Sequence, residues 1–433
     1  MTDFISHPVS RLSGIVCVPG DKSISHRSLM LGSIATGATH VTGFLPGEDN
    51  RATLQIMRAL GVKIDEYNKT ELVIHGVGMY GLQAPRSELD CGNAGTAIRL
   101  LVGLLVGQMF DCILTGDQYL LKRPMRRVTD PLTLMGAKIG LTAAGTAPLH
   151  IHGGVALHGI IYELPIPSAQ IKSCLLLAGM YANGVTTVIE SGITRDHTER
   201  MLTAMNYPVE TDGAMVSLTG EHHLQGCDIT IPADISSAAF FMVAAAITPQ
   251  SEITLTQVGI NPTRDGVLQI LELMGATITI RNRRQFGGEP VADITIVTSQ
   301  LRGIEIPQHL VPLAIDELPV LMIAAACAKG ITVLKGASEL RVKETDRIAA
   351  MANGLIALGI DVHTFEDGMQ VRGGTLQGGE VNSCGDHRIA MAFAVAGLMA
   401  TSAVKIIDVA NVQTSFPSFE ELARRVGFLL ECV

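Results

Sequence analysis

Two hydrophobic patterns return together along this chain. Runs such as CLLLAGMYA, FFMVAAAI and LMIAAAC are apolar nearly all round, which predicts helices buried on every side. Each such helix runs into a turn and then a β-branched stretch: SIATGATHVTGF, LLVGQMFDCILTG, LLAGMYANGVTTVIES, VAAAITPQSEITLTQVG, IAAACAKGITVLKGA and VAGLMATSAVKIIDVA. A second phrase follows as RALGVKI, TLMGAKIG, TAMNYPVE, ELMGATITI and IALGIDV, with RRVGFLL closing the last copy. It reads as the end of an amphipathic helix, a glycine stop and a further strand. Copies recur about every 70 residues, the mark of a repeated architecture. The expectation is therefore an α/β fold of six units, with helices inside and strands outside. The units divide into two sets of three, and the boundary falls near DITIPADISSAAFF, where Pro232 opens a new buried helix.

Composition sharpens this picture. At 433 residues the chain exceeds one ordinary core, so two domains are expected. Hydrophobic residues make up 47% and charged ones 17%, a balance that belongs to a well-buried folded protein. A net charge of -9 argues against general binding to nucleic acid or anionic membranes, and any anionic partner must be small and held by a local group of cations. Aromatic residues are only 4% with no tryptophan, which removes most candidates for base stacking. The eight cysteines are scattered without a C-x-x-C pair, so the pattern is that of reduced thiols rather than a zinc site. MTDFISHPVS lacks the apolar stretch of a signal peptide, and the longest apolar runs fall short of the ~20 residues of a bilayer span. A soluble cytoplasmic protein is expected.

Against the acidic background, the short stretch PGDKSISHR concentrates Lys22, His26 and Arg27 behind a Pro-Gly turn, with Asp21 or Ser23 placed to cap a helix. Five more segments share its character. They are CGNAGTAIR, LKRPMRRVTDPL, PSAQIKS, ELRVKETDRI and GDHRIA, each read as the head of a helix. Helix N-termini ordinarily gather acids, so cations crowded there repel one another unless anions intervene. Capping and salt-bridged turns account for any one such segment; six at equivalent places in a repeat point to bound phosphates and carboxylates. Two acids stand apart, Asp316 in AIDELPVL and Glu344 between Lys343 and Arg347. Each is either an ion-paired cap or a general acid or base beside bound anions. GVGMYG matches a dinucleotide fingerprint but leads into LQAPRSELD, with no apolar helix, and no phosphate-loop motif is present. His222-His223 reads as a surface loop and His197 as a hydrogen-bonded helix residue.

In order, PGDKSISHR, GNAGTAIRLL, RPMRRV, PSAQIKS, TRDHTERML, RVKETDRI and GDHRIAM resemble the motifs of the 5-enolpyruvylshikimate-3-phosphate synthases over nearly the whole chain. The resemblance implies a two-domain inverse α/β barrel-like fold of six βαβαββ-type repeats. One domain would span 21–232 and the other 1–20 with 233–433, with the active site in the cleft between them. It implies transfer of the carboxyvinyl group of phosphoenolpyruvate to the 5-hydroxyl of shikimate 3-phosphate, by a monomer needing no metal or organic cofactor. Carried over position by position, Lys22, Ser23, Arg27, Ser168, Ala169 (through its backbone), Gln170, Arg195, Asp316 and Lys343 would hold shikimate 3-phosphate. Lys22, Gly95, Arg123, Gln170, Arg347 and Arg388 would clamp phosphoenolpyruvate. Asp316, Glu344 and Lys22 would be the catalytic groups, Asp316 taking the hydroxyl proton and Glu344 protonating the methylene carbon.

PSAQ and RPMRRV resemble the second of the family's two sequence classes, which differ in glyphosate sensitivity. One position departs from many members: Thr414 and Ser415 stand before the late Phe-Pro, where a lysine contact to phosphoenolpyruvate is common. Two other readings compete. The sister enzyme that transfers enolpyruvate to UDP-N-acetylglucosamine has a similar fold but a different lysine motif and a mobile cysteine loop without counterpart here. A non-catalytic small-anion-binding protein would use the same cations and leave Asp316 and Glu344 dispensable.

Overall fold

A computed structural model describes residues 2–433. The chain divides into two compact units, one of Gly20–Ile231 with Gln285–Glu289, the other of Met1–Pro19, Pro232–Arg284 and Pro290–Val433. Each has its own apolar core.

In the unit Gly20–Ile231 the core holds helices Lys22–Ile34, Gly95–Leu105 and Ala169–Gly179. Their counterparts in the other unit are Ile235–Ile247, Leu318–Cys327 and His387–Gly397. Ile235–Ile247 is buried at every residue, as its unbroken apolar sequence requires. Packing is close enough to dictate single residues: a Cβ on Gly103 would stand 2.2 Å from the carbonyl oxygen of Cys174 on the neighbouring helix.

Six small sheets accompany these helices, and they share one pattern. In the first, Asp228–Thr230 pairs in parallel with Thr36–Thr42, which pairs antiparallel with Glu71–Val77, itself antiparallel to Lys63–Asn68. The sheet containing Cys112–Thr115 and the sheet containing Val185–Ile189 repeat this order. Sequence periodicity does not show who closes the last sheet. Phe4–His7, from the start of the chain, lies between Val404–Ile407 and Leu429–Cys432, antiparallel to both. The fifth sheet has three strands, and isolated parallel bridges at Arg302 and Glu305 stand where its first strand would be.

The second repeated phrase has a backbone cause. Gly61, Gly136, Gly275, Gly359 and Gly427 all take positive φ, from +80° to +108°, where an amphipathic helix turns into its strand. In the third copy Asn206 holds the place at φ 61°. Asparagine is the side chain that best tolerates this left-handed conformation, so the copy keeps its turn without glycine. Among the described residues no helix is long and apolar enough to cross a membrane.

Candidate active site

In the unit Gly20–Ile231 polar groups gather at the heads of the buried helices. A Cβ on Gly20 would lie 1.8 Å from the carbonyl oxygen of Gly43, so only glycine allows this entry. Asp21 then caps the helix by accepting from the Ile24 amide at 2.9 Å. This aligns Lys22, Ser23 and Arg27 on the first turn and a half. Lys22 ion-pairs with Asp49, and its carbonyl accepts from Asn50 Nδ2 at 3.1 Å.

Arg27 is buried, and each of its nitrogens donates to an uncharged oxygen. Nε reaches Thr198 Oγ1 at 2.7 Å, Nη2 reaches Ser173 Oγ at 2.7 Å and Nη1 reaches the Ser23 carbonyl at 3.1 Å. Burial is the largest influence on this guanidinium and pulls it down to about 10, although Glu199 and Asp21 act in the opposite sense. Arg195 adds a further positive charge close enough to disfavour the Arg27 cation. The nearby His26 imidazole is also buried, and desolvation, then the charges of Lys22 and Arg27, hold it well below its usual range, so it is neutral at pH 7.

Helix Ala169–Gly179 links this group to a second one. Ser168 caps it by accepting from the Ile171 amide at 3.4 Å. One turn before Ser173, Gln170 accepts from Arg99 at 2.7 Å and donates to Thr96 at 3.1 Å. Thr96 sits in the first turn of helix Gly95–Leu105, whose N-terminus no side chain caps among the described residues. Its leading amides and dipole are therefore open to an anion. Arg123 donates to Asn93, and its Nη1 lies 2.7 Å from where a Cβ on Gly95 would be. The LKRPMRRV segment leads into helix Arg126–Leu134, as its sequence suggests. Lys122 ends a short 3-10 turn, and both Lys122 and Arg126 are exposed.

The other unit assembles Asp316, Lys343, Glu344, Arg347, Asp386 and Arg388. Arg347 is 1% exposed and is caged by three carboxylates: Asp386 at 2.8 Å, Glu344 at 2.6 Å and Asp316 at 3.2 Å. Burial opposes its charge, but the fields of Asp386, Glu344 and Asp316 outweigh that and hold the guanidinium above its ordinary range. Lys343 reaches the same Asp316 oxygen at 3.3 Å, and Arg388 donates to the Asp316 carbonyl at 3.1 Å. Asp386 caps helix His387–Gly397 through the Arg388 amide at 2.8 Å, and Asp346 caps helix Arg347–Ala357 through the Ala349 amide at 3.0 Å. The repulsion expected among clustered cations is thus relieved here by the protein's own carboxylates. Arg341 is spent on structure, bonding Asp346 and the backbone of Phe365 and Glu366.

The sequence profile of the EPSP synthase (3-phosphoshikimate 1-carboxyvinyltransferase) family matches residues 6–422. The chain belongs to this family. A 3-phosphoshikimate 1-carboxyvinyltransferase from Methylococcus capsulatus is 59% identical over 428 residues, covering 99% of this chain and 98% of its own length. One from Nitrosococcus oceani is 58% identical over 427 residues, covering 99% and 96%. Among solved structures, an EPSP synthase from Acinetobacter baumannii superposes with a TM-score of 0.91 at 54% identity, over 100% of both chains. The enolpyruvyl transferase that acts on UDP-N-acetylglucosamine is set aside by these matches.

Several family-site neighbours escape the motif reading: Asp49, Ser173, Thr198 and the pair Glu190 and Glu199. Ser173, Thr198 and Glu199 lie inside the PSAQIKS and TRDHTERML motifs, but their contacts with Arg27 and Lys172 are not legible from those motifs, and Asp49 and Glu190 lie outside the motifs altogether. Lys172 is fully buried between Glu199 at 2.6 Å and Glu190 at 3.0 Å, an ion-paired core lysine. At the departing position, Thr414 is buried and donates to the Asn411 carbonyl at 2.7 Å, while Asn411 donates to Gly385 ahead of helix His387–Gly397. Phe416 and Phe419 anchor the segment, with ring centroids 5.5 Å apart in the core. This stretch brings the Asn411 side-chain amide, not an ammonium, to the residues ahead of that helix.

Proposed function

We propose that this chain moves the enolpyruvyl group of phosphoenolpyruvate to the 5-hydroxyl of shikimate 3-phosphate with release of phosphate. That is the transferase step of the shikimate pathway, toward chorismate and the aromatic amino acids. The observation that carries the reading is a division of labour among cations. Arg27 is buried among uncharged oxygens, whereas Asp316 and Glu344 share the single buried Arg347.

In this reading Lys22, Ser23, Arg27, Ser168, Ala169, Gln170, Arg195, Asp316 and Lys343 receive shikimate 3-phosphate. Phosphoenolpyruvate is held by the open amides at Gly95 with Lys22, Arg123, Gln170, Arg347 and Arg388. Two phosphates and two carboxylates repel one another in water, and holding them among these cations neutralises and desolvates them together. Asp316, ion-paired with Lys343 and Arg347, accepts the 5-hydroxyl proton. Glu344, on the same Arg347, protonates the methylene carbon. The adjacent carbon becomes cation-like, the hydroxyl oxygen attacks it and a tetrahedral adduct forms. Phosphate then leaves, and loss of a methyl proton restores the double bond.

The reading needs no metal or organic cofactor. It takes the working species as a cytoplasmic monomer, since one chain supplies every group named and its eight cysteines are unbridged. A phosphate-release assay with both substrates, each omitted in turn, tests it. Release must require both; release from phosphoenolpyruvate alone, or none from the pair, contradicts it.

Gly95→Ala probes the phosphoenolpyruvate end. The new Cβ, 2.7 Å from Arg123 Nη1, meets the far end of a flexible side chain, so the fold survives and the guanidinium moves aside. The KM for phosphoenolpyruvate is expected to rise about tenfold or more, with that for shikimate 3-phosphate little changed. Steady-state kinetics with each substrate varied checks this.

A further inference from the structure

We infer that Ser173 and Thr198 are positioning residues for Arg27, two hydroxyls that aim its guanidinium while leaving its charge available to the anionic acceptor substrate. The inference rests on the reading above, in which Arg27 holds shikimate 3-phosphate. Three hydrogen bonds of 2.7 Å close a triangle: Arg27 Nε donates to Thr198 Oγ1, Arg27 Nη2 donates to Ser173 Oγ, and Thr198 Oγ1 donates to Ser173 Oγ. All three side chains are buried, Ser173 at 0%, Thr198 at 1% and Arg27 at 4% exposure. The guanidinium plane is therefore set by two points that cannot rotate independently.

What the fold withholds from Arg27 matters as much. Glu199 follows Thr198 in sequence, and Lys172 precedes Ser173. The buried Lys172 ammonium binds Glu199 at 2.6 Å and Glu190 at 3.0 Å. Helices Ala169–Gly179 and His197–Ala204 thus present two adjacent pairs, one charged and one neutral. The charged pair keeps Glu199 occupied, and the neutral pair orients the arginine. Arg347 shows the alternative within the same chain, a buried arginine whose partners are carboxylates. A carboxylate on Arg27 would give equal rigidity but would compete with an incoming phosphate or carboxylate for the same N–H groups.

The test is steady-state kinetics of the full chain, with Thr198→Val and Ser173→Ala as the removing variants and Thr198→Ser as the conservative one. The KM for shikimate 3-phosphate is expected to rise about 10–100-fold in the first two, the loss of a hydrogen bond to a charged group. The KM for phosphoenolpyruvate and kcat should stay within about threefold, and Thr198→Ser should bring the first KM back to within about threefold of the parent. Ser173→Ala, which removes a single oxygen from a buried site, keeps the test decisive should the valine variant fail to fold. An unchanged KM for shikimate 3-phosphate, or equal rises for both substrates, would overturn the inference while leaving the activity standing. A parent chain that releases no phosphate from the two substrates overturns both.

Discussion

Replacing Asp316 by alanine is expected to lower kcat by about 10²–10⁴-fold, the range that general base catalysis supplies, while shikimate 3-phosphate still binds measurably. The carboxylate has two cationic neighbours on one oxygen, Lys343 at 3.3 Å and Arg347 at 3.2 Å, which fix its position. Binding persists because Arg27, Ser168 and Arg195 lie in the other unit and lose nothing. Equilibrium binding of shikimate 3-phosphate and turnover, measured on the same preparation, separate the two effects. Near-normal turnover would remove Asp316 from the base role and return the non-catalytic anion-binding reading to contention.

The largest expected effect on stability comes from Arg347→Met. This side chain is 1% exposed, and its removal leaves Asp386, itself 0% exposed, with Glu344 and Asp316 as neighbouring carboxylates and no central cation. Breaking a buried ion pair by deleting one partner costs about 3–5 kcal/mol, because the remaining charge stays desolvated. Adding Asp386→Asn should recover part of that loss, since it removes the most deeply buried of the stranded charges. Denaturant unfolding of the parent, the single and the double variants checks this. An unchanged midpoint in Arg347→Met would mean that the cage contributes nothing to the fold.

Much of this architecture was legible because its signals are local. A helix apolar on every side must be buried, and a glycine at the end of an amphipathic helix must turn the chain, so six units could be counted before any coordinates. The one irregular copy, with Asn206 in place of glycine, remains readable because asparagine meets the same backbone demand. Helix heads were legible for a similar reason, since Pro19-Gly20-Asp21 and Ser168 carry their own capping chemistry.

What stayed hidden was long-range. Phe4–His7 takes its place between strands some 400 residues away, and residues 285–289 belong to the unit opposite to that of their flanking chain. Thr198 and Ser173 look like ordinary helix residues until Arg27 is seen between them. The carboxylate cage of Arg347 was half visible. Glu344 lies three residues away, but Asp386 is 39 residues away, in the separate segment GDHRIA. Charge counting alone therefore overstated the need for bound anions in that unit and understated how one buried arginine serves three acids.

The central claim is that the cations at these helix heads bind the anionic groups of two small substrates. A crystal structure with shikimate 3-phosphate and an unreactive phosphoenolpyruvate analogue tests it most directly. One ligand should lie against Arg27, Ser168 and Arg195 and the other against the Gly95 amides, Arg123 and Arg388, with Asp316 within hydrogen-bond distance of the 5-hydroxyl. Ligands bound elsewhere, or on segments that face separate patches of solvent, would contradict it.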